Sequence, residues 1–292
     1  MMTGFSIRAF YELAMKASKG RKKSLEVMVK TLGDEGDDIQ GIETLKMQLK
    51  YKFEVKDLGL MKYFLGMEVA RSREGLFISQ RKYTMDLLKD TGMMACRPTG
   101  TPLDKGWKSR EEDDDVLVNK ERYQRLVGRL IYLSLTRPDI AYAVSKISQY
   151  MHSPTQKHMD VVFHVLRYLK GTLGKGLMFQ KTKERGIEGF VDADWAGSSE
   201  DNKSTTGYCT KVWENLVMWR SKKKSVMAHS SAKVEFRAIA QEMCEVIWLE
   251  RLLGDLKIPL VQPTRAYSDS KSAISIVKNP IQHDPMKHVR ID

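Results

Sequence analysis

Cysteine is scarce in this chain: Cys96, Cys209 and Cys244 are spread over 292 positions. Their separations match neither the paired spacing of a zinc site nor the dense pattern of a disulfide scaffold. We therefore expect a chain that folds on hydrophobic cores and works in a reducing, intracellular compartment such as the cytoplasm or nucleus. A chain of this length is expected to form about two domains.

Long apolar runs are also missing, because no stretch approaches the about 20 apolar residues that a transmembrane helix needs. We expect no membrane span.

Acidic residues are fewer than basic ones: 37 Asp and Glu stand against 49 Lys and Arg and leave a net charge of +12. This balance favours polyanionic partners, nucleic acid first, although a basic surface also serves solubility alone.

The first two thirds of the chain begin with a basic segment and end as a helical block. The first thirty residues suit either a mitochondrial or plastid transit segment or a solvated basic helix, and the basic segment 1–40 stays unassigned. A surface helix is predicted from Ile42 to Phe53, followed by a β-hairpin that turns at Arg73 to Gly75. Helical patterns then cover residues 81–91, 123–135, 140–151 and 157–169, interrupted by an acidic connector around residues 111–115.

The last third of the chain changes its hydrophobic period. Three strands are predicted at residues 186–195, 206–213 and 216–220, with Glu214 and Asn215 forming the tight turn. The strongest helical pattern follows from Ser231 to Leu256, and a further strand and helix are predicted at 265–268 and 270–278. The stripe expected to face the core of the long helix consists of Phe236, Ile239, Ala240, Met243 and Ile247.

Three acidic residues stand where this order of elements brings chain segments together. Asp192 leaves the first strand, Glu235 lies in the first turns of the long helix, and Asp269 ends the fourth strand. Hydrolysis of a phosphodiester uses two divalent cations about 3.5 to 4 Å apart, which clustered carboxylates hold. Mg²⁺ is the expected ion because it is hard and prefers oxygen ligands. Taken alone, each of these acids fits a solvated surface residue. Only their convergence predicts a metal centre.

Two ordered sets of sequence blocks carry a family resemblance. The downstream blocks resemble the ribonuclease H domain of copia-type retrotransposon Pol proteins, and the upstream blocks resemble the reverse transcriptase end and connection of that family. The downstream blocks are FVDADWAG (190–197), KSTTGY (203–208), WRSKK (219–223), SSAKVEF (230–236) and YSDSKSA (267–273). The upstream blocks are FEVKDLG (53–59), YFLGMEV (63–69), YQRLVG (123–128), TRPDI (136–140) and LRYLKGT (166–172).

The resemblance covers residues 41–292 and implies an α/β fold. Residues 41–175 would form the C-terminal part of a reverse transcriptase, an α+β region with a helical thumb-like or connection-like part. Residues 185–292 would form an incomplete ribonuclease H-like mixed sheet with helices, which stops before the family's last strand, final helix and fourth metal-binding carboxylate.

The resemblance also implies roles for single residues. It assigns Asp192, Glu235 and Asp269 as the catalytic, metal-binding acids, with Asp194 as the weaker candidate. The family's polymerase site needs a Tyr-Val-Asp-Asp strand before the helix at Ile42, which the stretch 27–34 does not supply. Polymerase activity is therefore not expected.

A basic cluster precedes the long helix and is the candidate nucleic-acid contact: Arg220, Lys222, Lys223 and Lys224. These cations would hold phosphates beside the acidic site, or else form a solvated strand end. The expected partner is an RNA/DNA hybrid, cleaved with two Mg²⁺ ions. The alternatives are a non-catalytic nucleic-acid-binding relic and an element-derived protein recruited by its host; oligomeric state is left open.

Overall fold

The computed structural model describes residues 62–64, 66–104, 107, 116–180, 182, 186–195, 203–224, 227, 230–255, 260 and 262–278. The basic segment 1–40, the helix expected from Ile42 to Phe53 and the acidic run 111–115 lie outside the described residues. Within those residues the fold is mixed α/β, with two four-stranded sheets and six α-helices. None of these helices is both long enough and apolar enough to cross a membrane.

The first sheet contains the predicted hairpin. Ser72 donates its backbone N–H to the Gly75 carbonyl at 2.9 Å and closes the turn. A strand that the sequence pattern did not predict, Leu177–Gln180, pairs antiparallel with the hairpin after the helical block. The strand order is β1-β2-β3-β4, formed by β1 (Tyr63–Phe64), β2 (Met67–Arg71), β3 (Gly75–Ser79) and β4 (Leu177–Gln180).

Between β3 and β4 the chain forms the predicted helical block around a large apolar core. Asn119 caps the second helix by accepting the Arg122 N–H at 2.7 Å, and Thr155 and His158 form a capping box at the fourth. The helices are α1 (Arg81–Asp90), α2 (Lys120–Leu133), α3 (Ala141–Ile147) and α4 (Gln156–Gly171). Their fully buried side chains include Leu88, Tyr123, Leu130, Val144, Val165 and Leu169.

The second sheet has the order β7-β6-β5-β8, with β8 parallel to β5 and the other pairs antiparallel. A long helix, α5 (Ser231–Asp255), covers one face and contacts α6 (Lys271–Lys278). All four strands of this sheet were predicted, and they are β5 (Ile187–Asp194), β6 (Thr205–Val212), β7 (Asn215–Lys223) and β8 (Arg265–Ser268).

Two details of the sequence prediction were wrong. The tight turn lies at Trp213 and Glu214, which adopt φ values of 52° and 65°, because a two-residue hairpin turn matches the strand twist only with positive φ at both positions. The predicted core stripe of α5 is also displaced, since Ala240, Met243 and Ile247 are exposed. The buried face instead carries Val234, Glu235, Ala238, Glu242, Glu245 and Leu249, and its three glutamates masked the helical period.

The helical block packs on the face of the second sheet opposite α5. Trp219 of β7 is buried and donates its indole N–H to the Ser134 carbonyl at 3.1 Å. Ser145 of α3 donates its hydroxyl to the Ser221 carbonyl at 3.0 Å. Both bonds are buried, so they hold the end of α2 and the helix α3 beside the edge strand β7.

Candidate metal centre

Two of the three predicted acids stand at one end of a parallel strand pair. In the register of β5 and β8, Val191 lies opposite Ser268, so Asp192 and Asp269 are the next residues on the two strands. The carboxyl ends of parallel strands meet at the same edge of a sheet. The local fold therefore places both carboxylates at this edge.

The third acid reaches the same edge from the helix. Burial of Val234, Ala238 and Ile239 fixes the first turns of α5 against the sheet, where Ala238 and Ile239 share a core with Val191 of β5. The Glu235 carboxylate accepts a hydrogen bond from the backbone N–H of Ala193, directly after Asp192.

These three side chains converge. One carboxylate oxygen each of Asp192, Glu235 and Asp269 lies within 4.8 Å of the others, with the aspartates exposed and Glu235 buried. Burial and the negative charges of Asp269 and Asp192 together raise the pKa of Glu235 to about 6, and the Ala193 hydrogen bond partly opposes them. Three like charges are thus held together at a cost in electrostatic free energy.

The cluster fits a hard divalent cation. All its donors are oxygens, the ligand type that Mg²⁺ and Mn²⁺ prefer over softer ions. The Oε2 atom of Glu235 is buried and accepts no hydrogen bond from any described residue. A cation among the three carboxylates would satisfy this oxygen and offset the repulsion that raises the Glu235 pKa.

Asp194, the weaker candidate from the sequence, is exposed on the same strand but is outside the acidic cluster that the described residues form. Strand alternation places it on the same face as Asp192, two residues further along β5.

The predicted basic cluster is divided between the two faces of the sheet. Arg220 lies opposite Tyr208 in the strand register and Lys224 donates to Gln241 of α5 at 3.0 Å, so this side of β7 faces α5. Because side chains alternate along a strand, the exposed Lys222 lies on the α5 side of β7 with Arg220. Lys223 lies on the opposite face, which also carries Asp192. Burial lowers the pKa of Lys224, and the positive charges of Lys222, Arg220 and Arg237 lower it further.

Sequence reasoning missed a second acidic feature under α5. Tyr208 donates its hydroxyl to Glu245 at 3.2 Å, and Thr210 donates to Glu242 at 3.2 Å. Both glutamates are buried. The spacing of Glu242 and Glu245 from Glu235 places them on one helix face and could have predicted their burial. A search for hydrophobic periodicity does not detect charged residues.

Comparison with known proteins shows to which class the chain is similar. Residues 15–105 match the family model described as "Reverse transcriptase (RNA-dependent DNA polymerase)". This match begins inside the segment that sequence analysis left unassigned, and it includes the stretch 27–34, which lies outside the described residues. The chain therefore contains part of a reverse transcriptase domain.

Relatives that match most of the chain identify the family within this class. The chain is 37% identical over 275 residues to the retrovirus-related Pol polyprotein from transposon RE1 of Arabidopsis thaliana, covering 93% of this chain and 19% of that protein. It is 35% identical over 265 residues to the Pol polyprotein from transposon TNT 1-94 of Nicotiana tabacum, with 88% and 20% covered. An uncharacterized mitochondrial protein of Arabidopsis thaliana is 39% identical over 207 residues, with 71% and 86% covered.

The chain belongs to the copia-type retrotransposon Pol family, as the sequence blocks indicated. It spans about a fifth of the length of the curated transposon Pol polyproteins to which it was compared.

Proposed function

We propose that this Pol fragment carries a ribonuclease H-type site that hydrolyses the RNA strand of an RNA/DNA hybrid. The convergence of Asp192, Glu235 and Asp269 within 4.8 Å is the observation that carries the proposal. The order of elements supports it, since a strand, a helix start and a second strand end supply one acid each.

In this proposal the three acids hold Mg²⁺. The bound ions supply activation of a water nucleophile and stabilisation of the leaving oxygen. The Ala193 N–H positions the Glu235 carboxylate, whose buried Oε2 accepts no hydrogen bond from a described residue and would serve as a metal ligand. The exposed aspartates leave the strand edge open to a large polyanionic substrate.

The substrate side of the proposal rests on the cations of β7. Lys222 and Lys223 lie two strands from β5, on opposite faces of the same sheet end, where they contact phosphates on either side of the scissile strand. Recognition of RNA against DNA comes from the 2′-hydroxyl groups in the shallow minor groove of the hybrid.

Release of short RNA from an end-labelled hybrid tests the hydrolysis. The full chain is expected to cleave in Mg²⁺ and not in EDTA, and Asp192→Asn is expected to abolish cleavage. Asp194→Asn is the matched control, because it makes the same change on the same strand face outside the acidic cluster, and it should cleave as the wild type does. Folded wild-type protein that releases no RNA would reject this function.

A second candidate function is nucleic-acid binding without turnover. It is favoured by the basic residues of β7, whose positions do not depend on the acidic cluster. It predicts sequence-independent binding of hybrid and duplex that weakens steeply with salt, while no RNA is released. Binding that is unaffected by rising salt would contradict it.

A further inference from the structure

We propose that Tyr142 and Lys146 of α3 form a second contact for the hybrid, on the sheet face that carries Asp192. The Tyr142 ring packs against a sugar or base of the bound strand, and Lys146 binds an adjacent phosphate. This inference rests on the proposed function and adds residues from the helical block to its substrate site.

The position of α3 follows from one buried bond. The Ser145 hydroxyl donates to the carbonyl of Ser221 on β7. In the strand register, Ser221 lies opposite Gly207 of β6, and Gly207 lies opposite Asp192 of β5. The three strand residues form one row across the sheet. Adjacent strands are about 4.8 Å apart, so α3 is anchored about 10 Å from the strand position of Asp192.

The two elements also share a face. Trp219 lies opposite Cys209, and Cys209 lies opposite Phe190, so the side chains of Trp219 and Asp192 project from the same side of the sheet. The Trp219 indole bonds to Ser134 of the helical block, which shows that this block covers that side. The helical block, which includes α3, therefore lies on the sheet face that carries Asp192.

Tyr142 is the residue of α3 that is left at the surface. Its side chain is 47% exposed, although Ala141, Ala143, Val144 and Ile147 are buried. It precedes Ser145 by three positions, which places both on one helix face. Burial and the negative charge of Asp194 raise the pKa of the Tyr142 phenol.

A cation accompanies the ring. Lys146, one helical turn later, places Nζ 5.5 Å from the centre of the Tyr142 ring. An exposed aromatic ring with an ammonium group beside it matches the alternation of sugar or base with phosphate along a nucleic-acid strand. Lys223 lies on the same sheet face, near the end of the strand β7 that contacts α3.

Binding of a fluorescein-labelled RNA/DNA hybrid by the full chain tests this contact. Fluorescence anisotropy is measured in EDTA, so that no turnover interferes, for wild type, Tyr142→Ala, Tyr142→Phe and Lys146→Ala. We expect Tyr142→Ala to weaken binding by about tenfold and Tyr142→Phe to retain it. Lys146→Ala is expected to weaken binding and to reduce the slope of log affinity against log salt by about one. Lys89→Ala, an exposed lysine at the end of α1, is the control and should bind as wild type does.

The outcomes separate this contact from the hydrolysis. Variants of Tyr142 and Lys146 that bind as wild type, while Lys222→Ala binds more weakly, would overturn the contact and leave the proposed hydrolysis intact. Weakened binding by both variants in a protein that cleaves nothing would support the contact and reject the hydrolysis. Wild-type protein that binds no hybrid would overturn both. Far-ultraviolet circular dichroism of each variant establishes that the comparison is made between folded proteins.

Discussion

The carboxylate of Glu242 lies directly against the Cα atom of Gly189, in the space that a Cβ atom at position 189 would occupy. Gly189 lies in β5, and Glu242, on the face of α5 that covers the sheet, is 1% exposed. The glycine therefore makes room for a buried acid that Thr210 partners from the neighbouring strand. This pair links the strand that carries Asp192 to the helix that carries Glu235.

Gly189→Ala is expected to destabilise the fold by about 2 kcal/mol, because the added methyl group overlaps the Glu242 carboxylate and forces α5 outward. Urea unfolding measures the loss. Gly128→Ala on the exposed side of α2 is the control, since nothing lies within 4 Å of the added atom and alanine favours a helix. Combining Gly189→Ala with Glu242→Ala should cost less than the sum of the two changes. Additive costs would contradict the contact.

Glu242 should make the stability of the protein depend on pH. Burial, with a contribution from the negative charge of Glu245, raises its pKa to about 7 although the Thr210 hydrogen bond lowers it. A carboxyl whose pKa is raised by folding stabilises the protein below its unfolded pKa, and this stability is lost as pH rises through the folded pKa. The loss falls between pH 4.5 and about 7.

The free energy of unfolding of Glu242→Gln should therefore rise by about 2 kcal/mol relative to that of wild type when the pH is raised from 5 to 8. Chemical denaturation of both proteins at the two pH values measures this difference. Glu250→Gln, a half-buried position on the same helix, is the control. A difference between wild type and Glu242→Gln that is the same at pH 5 and pH 8 would show that Glu242 does not titrate in this range.

Arg137 ties the start of α3 to the end of α4. Its guanidinium, 3% exposed, makes two bonds to Asp139 at 2.8 and 2.9 Å and two to Thr172 at 2.7 and 3.0 Å. Lysine cannot reproduce this planar arrangement, so Arg137→Lys is expected to cost about 3 kcal/mol. Arg129→Lys should cost less than about 1 kcal/mol, because its partner Asp90 is 61% exposed. If Arg137→Lys and Arg129→Lys lost equal stability in thermal or urea unfolding, burial would not determine the contribution of these ion pairs.

Most elements of this fold were predictable because their local patterns are strong. The hairpin carries Gly75 at its turn, and α5 begins directly after Ser230, whose hydroxyl oxygen accepts the Lys233 N–H at 3.2 Å; both residues act over a few positions. Strand β4 was not predicted, because its four residues are only partly buried or exposed and show no alternation. It forms where the β3 edge offers unpaired backbone groups, which is a tertiary effect.

The acidic site was predictable to the extent that the order of its elements was. Asp192, Glu235 and Asp269 were assigned from a strand, a helix and a strand, and the structure brings these three side chains together. The exposure of Tyr142 could not be predicted in this way, since it depends on how α3 packs against β7. Glu242 and Glu245 were missed for the opposite reason, because charged residues are not expected inside a core.

Binding of Mn²⁺, followed by the electron paramagnetic resonance of the free ion, tests the metal centre most directly. Wild type is expected to bind Mn²⁺ saturably at neutral pH, Asp194→Asn to bind it equally well, and Asp192→Asn to lose most of the affinity. Because one of three crowded negative charges is removed, Asp192→Asn should also melt at a higher temperature than wild type in metal-free buffer. Equal Mn²⁺ affinity in wild type and both variants would contradict the account.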